Sequence, residues 1–532
     1  MNTSKFFNVK LVFIILLAVV WSSKAQTSTE RPNIVLILCD DLGYGDVQSL
    51  APKTSKIKTP HIDQLGREGM VFTDAHGGSS VCTPTRYGLM TGRYSWRTKL
   101  QSGVVQGYAP DLIVEDRPTI ASFLKSQGYH TGIIGKWHLN FQYLDPKTKD
   151  LVAKGNGKDF LPPVGATIPD GPVNRGFDYY HGFHHAGDMK AVIENNKVIL
   201  YDDEINMLPR LTDKSVEYIT NQSKSKDKKP FFLYVPLGSP HTPIVPSKEW
   251  QGKSGMGDYA DFVMQTDATV GAIMKAIEDN GISKNTLIIF SSDNGCSKAA
   301  NIPALEKQGH LVSGGFRGSK ADLWDGGHRV PFIVKWADKV KSNSTSKELI
   351  CLTDVFATFA TITGKSMPEG SGEDSVSFLP ALSGKPIVSK RAGVIHHSIS
   401  GHFGYRKGKW KLLLSRGSGG WSSPNERESV DMPKAQLYDI EKDPAETTNL
   451  YDKKPEIVKE LLANLEKDIA NGRTSEGIAS KNDVDGIVLW KSERNKNAKN
   501  NNSKNNNSKK DRSKKDRSKK NKSIHVDSEE EE

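Results

Sequence analysis

Three apolar segments, each followed directly by polar residues, constrain the fold of this chain more than any other feature. They are Asn33–Cys39, Pro230–Pro236 and Thr286–Ser292, and the first and third run into Asp-Asp and Asp-Asn pairs. Unbroken runs of β-branched and aliphatic residues are typical of strands buried on both faces. Helical patterns lie between them, for example over Thr119–Ser126 and Tyr259–Glu278. Alternating strands and helices predict an α/β fold, with a mostly parallel sheet covered on both faces.

The pattern of apolar and turn-forming residues changes near residue 390. Short apolar runs at Val394–His397 and Lys409–Leu414 lie among Gly/Ser turns, and Lys454–Ile469 has the pattern of an amphipathic helix. We therefore predict a catalytic domain over residues 26–389 and a smaller α+β subdomain over residues 390–490.

From about Lys491 the chain is of low complexity. The pattern NNNSK occurs at 500–504 and 505–509, and DRSKK occurs at 511–515 and 516–520. A segment so poor in apolar residues cannot offset its ordering entropy by burial, so we predict a disordered tail over residues 491–532. Contact of this tail with an anionic polymer is the alternative to a solvated tail.

The formal net charge of +11 points to a nucleic-acid partner only until its distribution is considered. The first 25 residues contain three lysines and no acid, and the residues from 491 onward contain 14 Lys/Arg against 8 Asp/Glu. The body of the chain is close to neutral, so no nucleic-acid partner is predicted.

The amino terminus has the pattern of an export signal. Lys5 and Lys10 precede the apolar run Leu11–Trp21, and Ser23 and Ala25 occupy the positions that a signal peptidase checks. Residues 1–25 are therefore predicted to be a cleaved signal peptide, and the protein is expected in the periplasm or secreted. The run is too short to span a bilayer, and no later run approaches that length, so no integral membrane segment is expected in the mature chain. A retained interfacial anchor is the alternative.

The cysteines are too few for a disulfide framework in an exported chain of this size, and none form a C-x-x-C pair. They are Cys39, Cys82, Cys296 and Cys351. Cys82 stands out because Pro84 and a helix-compatible run follow it, which predicts a helix amino end where backbone N–H groups favour an anion. Arg86 is placed to share that site. A small buried hydrophobe is the alternative role for Cys82.

Oxygen ligands follow two of the predicted strands. Asp40 and Asp41 come after the first, and Asp293 and Asn294 come after the third. Carboxylate and amide oxygens suit Ca²⁺ or Mg²⁺ better than zinc or copper. Either pair alone is also compatible with a turn of solvated carboxylates.

The stretch Val81–Arg86 (VCTPTR) with Tyr87–Arg93 (YGLMTGR) resembles the type I sulfatase signature, C-x-P-x-R followed by a T-G-R element. Further segments are similar to motifs of that family over about residues 30–475. They are Gly135–Leu139 (GKWHL), Phe316–Lys320 (FRGSK), Trp324–Pro331 (WDGGHRVP, with Asp325 where the family has Glu) and Gln436–Leu450 (QLYDIEKDPAETTNL).

The resemblance implies an alkaline-phosphatase-like fold: a large mixed β-sheet flanked by helices, with a small carboxyl-terminal antiparallel sheet and a helix. It also implies that Cys82 is oxidised to formylglycine by a formylglycine-generating or sulfatase-maturing enzyme. The hydrated aldehyde would be the nucleophile and a ligand of one Ca²⁺. The other implied calcium ligands are Asp40, Asp41, Asp293 and Asn294.

The resemblance also assigns catalytic roles. Arg86, Lys136 and Lys320 would stabilise the sulfuryl oxygens. Asp293 would deprotonate the nucleophile, while His241, which follows a predicted strand, would protonate the departing alcohol. His138 would take the remaining hydrate proton. On an extended backbone, Lys136 and His138 would face the same way.

A sulfated polysaccharide or oligosaccharide is the expected substrate, by analogy alone, with His185 and Trp324 as candidate substrate contacts. His181, His184 and His185 could be mistaken for a zinc cluster, but packing or contact with substrate is favoured because no Cys or acidic partner is spaced for ligation. Two other functions stay open: a phosphoester or phosphonate monoester hydrolase on the same fold, and a glycan-binding protein with an inactive site.

Overall fold

A computed structural model describes residues 31–154, 160–388 and 391–491. The predicted signal peptide lies outside the described residues, as does the predicted tail from residue 492 onward. Among the described helices, none combines the length and the apolar character needed to cross a membrane.

A ten-stranded sheet forms the centre of the molecule. In spatial order its strands are β11 (Ser344–Ser346), β2 (Met70–Phe72), β10 (Phe332–Trp336), β9 (Thr286–Ser292), β1 (Asn33–Asp40), β8 (Phe231–Pro240), β4 (His130–Lys136), β5 (Tyr179–Phe183), β6 (Ala191–Glu194) and β7 (Lys197–Tyr201). The five strands from β9 to β5 are parallel, whereas β10, β6 and β7 pair antiparallel with their neighbours. The predicted large mixed sheet is confirmed.

The described residues form ten α-helices, which include those that cover the two faces of this sheet. They are α1 (Pro60–Glu68), α2 (Cys82–Thr91), α3 (Ile120–Ser126), α4 (Met207–Ser223), α5 (Asp258–Asp279), α6 (Ile302–Lys307), α7 (Asp325–His328), α8 (Val355–Thr363), α9 (Leu379–Leu382) and α10 (Pro455–Ala470). Alternate residues of β1 enter two separate cores, Ile34, Leu36 and Leu38 in one and Val35, Ile37 and Cys39 in the other. The first core packs against α2, α3 and α8 and the second against α1, α4 and α5, which explains the lack of polar residues between Ile34 and Cys39.

The register of the central strands brings their polar ends together. Cys39 of β1 is paired with Ser292 of β9, and Asp40 is paired with Pro240 of β8. The polar residues that follow these strands therefore meet at one edge of the sheet, where α/β folds bind ligands.

A second, four-stranded antiparallel sheet follows in the chain, in agreement with the fold class expected for the small subdomain. Its strands, in order, are β13 (Val394–His397), β14 (Phe403–Lys407), β15 (Trp410–Leu413) and β16 (Gln436–Asp439), and α10 packs against β14 and β15. Two short strands, β3 (Ala75–His76) and β12 (Ile350–Cys351), form a separate parallel pair.

Candidate active site

Two aspartates at the ends of neighbouring strands form the base of the candidate site. Asp40 is the last residue of β1, and Asp293 follows β9. Asp41 has a φ of 63°, an uncommon backbone conformation outside glycine. In this conformation the Asp41 amide donates to Asp293 Oδ1 at 3.3 Å. The three carboxyl groups of Asp40, Asp41 and Asp293 are buried together.

Cys82 is the first residue of α2, as its sequence context predicts. Its Sγ lies 3.4 Å from Asp40 Oδ1, and the residue is 2% exposed. Burial, followed by the charge of Asp40, raises the pKa of the Cys82 thiol well above its usual range. A catalytic thiolate requires the opposite shift, so the unmodified cysteine is a neutral thiol in this setting.

Three cations surround Cys82, one for each carboxylate. Arg86 Nη2 lies 2.7 Å from Asp293 Oδ2, Lys136 Nζ donates to Asp40 Oδ2 at 2.6 Å, and Lys320 Nζ donates to Asp41 Oδ2 at 2.9 Å.

These pairs set the ionisation of the group. Burial raises the pKa of Asp40, but the charges of Lys136 and His241 outweigh burial and hold the pKa well below its usual range. Asp41 raises the pKa of Lys320 despite the opposing effect of burial. Lys320 and Asp40 are therefore both charged.

The pKa of Asp293 is shifted in the opposite direction to that of Asp40. Burial and the charge of Asp40 raise the pKa of Asp293 to about 7, with Arg86 acting in the opposite direction. Asn294 donates from Nδ2 to Asp41 Oδ1 at 2.7 Å, while Asn294 Oδ1 is buried with no hydrogen-bond partner. A buried amide oxygen without a donor beside three carboxylates is a donor set that fits a hard divalent cation.

His241 lies at the mouth of this group. Its Nε2 is 3.6 Å from Asp41 Oδ2, and its side chain is 16% exposed, against 7% for Lys320. Its Nδ1 lies 2.6 Å from the Thr242 carbonyl oxygen, so Nδ1 is the donor and Nε2 faces Asp41. Burial and the charge of Lys320 lower the pKa of His241.

The backbone conformation at His138 differs from the one that the sequence analysis predicts. The expected extended backbone from Lys136 to His138 is wrong, because β4 ends at Lys136 and His138 has a φ of 55°. His138 Nε2 bonds to the Val105 carbonyl at 3.1 Å, and Nδ1 is buried without a partner. Burial, followed by Lys136, lowers the pKa of His138 well below its usual range, so the ring is neutral.

The histidines that follow β5 adjoin His138. The rings of His184 and His185 have centroids 6.2 and 5.9 Å from that of His138. Asp188 lies beside them: its Oδ1 accepts from the His185 amide at 2.9 Å, and its carboxylate lies close to both side chains. The preference for packing or substrate contact over a zinc site stays a prediction. His181 is buried apart from this group, 3.8 Å from Glu194.

Trp324, the other candidate substrate contact, does not line the site. It is 1% exposed, its indole Nε1 donates to Gln436 at 3.0 Å, and Arg317 covers its ring at 3.6 Å. The residue therefore packs against the small sheet and presents no surface to a sugar. The sequence analysis did not consider Trp421, whose ring centroid lies 5.4 Å from the Nζ of Lys298 although the two residues are far apart in the chain.

A second group of buried charges, here called the interface cluster, joins the large part of the fold to the small sheet. It consists of Asp325, Arg329, Lys411 and Glu446. Lys411 Nζ donates to Asp325 at 2.6 Å and to Glu446 at 2.8 Å, and Arg329 Nε donates to Asp325 at 2.9 Å. Burial and Asp325 raise the pKa of Glu446 to about 7, although Lys411 acts in the opposite direction.

His76, His328 and His396 lie beside the interface cluster and are close enough together to be considered as metal ligands. However, the rings of His328 and His396 are stacked at 3.8 Å with an interplanar angle of 12°. Lone pairs in two stacked ring planes do not converge on one ion. His76 Nδ1 instead lies 3.0 Å from His328 Nδ1, a hydrogen-bonded pair.

Two family models and several known proteins match the chain. Residues 32–365 match the family model described as Sulfatase, and residues 319–474 match the carboxyl-terminal model of N-sulphoglucosamine sulphohydrolase. The chain is 32% identical over 491 residues to an N-acetylgalactosamine-6-O-sulfatase of Bacteroides thetaiotaomicron, covering 82% of this chain and 93% of the relative. It is 31% identical over 471 residues to arylsulfatase A of Bos taurus, covering 81% and 85%.

Solved structures are also similar. A Bacteroides thetaiotaomicron protein solved in work on the metabolism of multiple glycosaminoglycans superposes with a TM-score of 0.71 at 29% identity, covering 82% of this chain and 99% of that chain. A structure bound to a neocarrahexaose superposes with a TM-score of 0.65 at 24% identity, covering 85% and 95%, and so supports the fold.

Proposed function

Because the chain belongs to the sulfatase family and hydrolyses sulfate esters, we propose that it is an exported, calcium-dependent sulfatase acting on sulfated polysaccharides or oligosaccharides. The observation that carries this proposal is the ring of Arg86, Lys136 and Lys320 around Cys82. Three buried cations match the oxygens of a sulfuryl group and stabilise the charge that they carry in the transition state. The proposal keeps a catalytic domain over residues 26–389 and a subdomain over residues 390–490.

Calcium is the proposed metal. Asp40, Asp41, Asp293 and Asn294 would hold it, and the partnerless Asn294 Oδ1 supports this set. Bound there, the ion would supply positive charge to a sulfuryl oxygen and a ligand site for residue 82.

Formylglycine at position 82 is the second proposed group. The raised pKa of the thiol supports it, because a neutral cysteine is a poor nucleophile. The hydrated aldehyde would supply a nucleophilic oxygen at the amino end of α2.

The remaining side chains bind the sulfuryl group and move protons. Lys136 and Lys320 are held towards residue 82 by Asp40 and Asp41. His241 is assigned the leaving-group proton on Nε2, because its Nδ1 is committed to the Thr242 carbonyl; Asp41 favours the protonated ring, against the opposing effects of burial and Lys320. Asp293 is the proposed base, and His138 accepts the second proton on its partnerless Nδ1.

The proposed substrate class is supported by a similar protein, and the proposed export by the sequence of the amino terminus. The similar N-acetylgalactosamine-6-O-sulfatase has a sulfated amino sugar in its name, which favours a sulfated glycan for this chain. Residues 1–25 favour export by their sequence.

Expression in a host with a formylglycine-generating enzyme tests the proposal. Mass spectrometry of the Cys82 peptide should find the aldehyde mass. Sulfate release should occur from fragments of chondroitin sulfate, heparin or carrageenan, and it should stop on calcium chelation and return with Ca²⁺. Full activity of an unconverted chain, activity that survives thorough chelation, or faster turnover of nitrophenyl phosphate than of nitrophenyl sulfate would each contradict it.

A further inference from the structure

A loop of the small-sheet region, residues 416–432 between β15 and β16, is bound to the segment that carries Lys320. Asp322, which is fully buried, accepts hydrogen bonds at Oδ1 from the amides of Trp421 and Ser422 at 2.9 and 3.0 Å. The Leu323 amide donates to the Ser418 carbonyl at 2.7 Å. The loop is therefore held in one position without any ligand.

The same segment adjoins the reacting centre. Lys320 reaches Asp41 with its side chain, and the Ala321 amide donates at 2.8 Å to the carbonyl of Ser80, two residues before Cys82. The Lys320 amide donates at 2.9 Å to the carbonyl of Cys296, which follows the Asp293 turn. The loop that carries Trp421 thus stands next to the sulfate-binding groups.

Trp421 is unusual among the tryptophans. Its exposed fraction is 43%, whereas Trp96, Trp137 and Trp324 are each 1% exposed. The Nζ of Lys298, an exposed side chain, lies 5.4 Å from the centroid of the indole ring. An exposed indole on a fixed loop beside a cation combines an apolar face with a positive charge.

We propose that Trp421 and Lys298 form a sugar-binding platform, on which the saccharide unit next to the sulfated unit rests. The apolar face of a pyranose ring would cover the indole, which is rigid and loses little conformational entropy on binding. Lys298 would pair with a sulfate or carboxylate group of that unit. This inference rests on the proposed glycan substrate, and it makes an anionic oligosaccharide, rather than a sulfated monosaccharide, the preferred one.

The alternative is that the pair only stabilises the loop by a cation–π contact. In that case loss of the indole would disturb Asp322 and, through it, Lys320, and every sulfate ester would be affected alike. A platform instead affects only substrates that are long enough to reach it.

The test compares Trp421→Ala, Trp421→Phe and Lys298→Gln with the wild type, and Met432→Ala serves as a control because Met432 is 45% exposed on the same loop. The probes are nitrophenyl sulfate, a sulfated monosaccharide and the matching tetrasaccharide, from whichever of chondroitin sulfate, heparin or carrageenan the wild type hydrolyses fastest. Calorimetric titration of the tetrasaccharide into the Cys82→Ala protein and the Cys82→Ala/Trp421→Ala protein measures binding without turnover.

For Trp421→Ala we expect KM and Kd for the tetrasaccharide to rise roughly tenfold, with kcat and both short substrates unchanged. Trp421→Phe should keep most of the affinity, Met432→Ala should match the wild type, and the smaller loss in Lys298→Gln should shrink at high salt. Equal losses on all three probes, or no loss on the tetrasaccharide, would overturn the platform while leaving the sulfatase assignment intact. A wild type that hydrolyses nitrophenyl sulfate but binds none of the oligosaccharides would instead refute the proposed glycan substrate, and the platform with it.

Discussion

The candidate active site and the interface cluster contain similar residues but differ in how their bonding capacity is used. Both combine buried acids with lysine and arginine. In the interface cluster all four carboxylate oxygens of Asp325 and Glu446 have donors between 2.6 and 2.9 Å. In the active site, Asn294 Oδ1 and His138 Nδ1 are buried without a partner. Buried charge alone therefore does not identify a functional site. The two regions differ in whether the polar atoms of the group itself are all used, since no buried side-chain atom of the interface cluster lacks a partner.

The largest difference between the two regions should come from Cys82→Ala. We expect sulfate release to fall by about 10⁴-fold or more, because the proposed nucleophile is lost, while the melting temperature stays close to that of the wild type. Cys351→Ala is the matched control, since Cys351 is also buried and free but lies on β12. Equal activity of Cys82→Ala and wild type in a sulfate-release assay would show that Cys82 has no more catalytic importance than Cys351.

His241→Ala tests the proton assigned to the mouth of the active site. Loss of a general acid should slow sugar sulfates by about 10²–10⁴-fold relative to nitrophenyl sulfate, because nitrophenolate leaves without a proton. Lys136→Ala should slow both substrates by the same factor. If His241→Ala also slows both equally, the acid is another residue, and Lys320 is the next to test.

Lys411→Met tests the interface cluster for stability. The substitution leaves Asp325 with Arg329 but removes the cation that pairs with the buried Glu446, so we expect the free energy of unfolding to fall by about 3–5 kcal/mol. Lys136→Met should cost less stability, because Arg86 stays beside Asp40, but about 10²–10³-fold in activity. Denaturant unfolding and kcat would be measured on both variants. A Lys136→Met protein less stable than Lys411→Met would contradict the structural role assigned to the interface cluster.

The smallest expected effect is the pH dependence of the interface cluster. The pKa of Glu446 is about 7 in the folded chain, above the usual value of 4.5, so the folded state binds the proton more tightly than the unfolded state. This contribution to stability is complete below pH 4.5 and is lost as the pH rises through 7, by about 3 kcal/mol. Glu446→Gln should flatten this part of the stability profile. If the pH dependence of stability is the same in Glu446→Gln as in the wild type, the group that binds this proton is not Glu446.

Much of the fold could be predicted because its signals are local. The apolar run of β1 and the Asp pair that ends it are adjacent in sequence, and parallel strands bring such ends to one edge. The start of α2 at Cys82 followed from Pro84 in the same way. Short-range patterns of this kind predict both the strand and the position of its polar end.

The rest could not be predicted because it depends on pairs that are distant in the chain. Trp324 is buried by Arg317 and Gln436, and Trp421 meets Lys298, a partner 123 positions away in the sequence. The left-handed backbone at His138 has no sequence signal either, since histidine adopts it only where the surrounding structure requires it. Motif spacing therefore locates the residues of a site better than it locates their surroundings.

If Cys82 is oxidised as proposed, its burial also imposes an order of events on biosynthesis. Ser80 donates from its amide to the carbonyl of His397 at 3.0 Å, and Ser79 does so from its hydroxyl at 2.8 Å, so β13 closes over the segment that precedes Cys82. An oxidising enzyme needs that segment free, and β13 is made some 315 residues later in a chain synthesised from its amino end. At about 5–20 residues per second, the proposed maturation has a window of roughly 15–60 s before docking of the small sheet competes with it. The rate at which the carboxyl-terminal sheet folds would then set the fraction of molecules that become active.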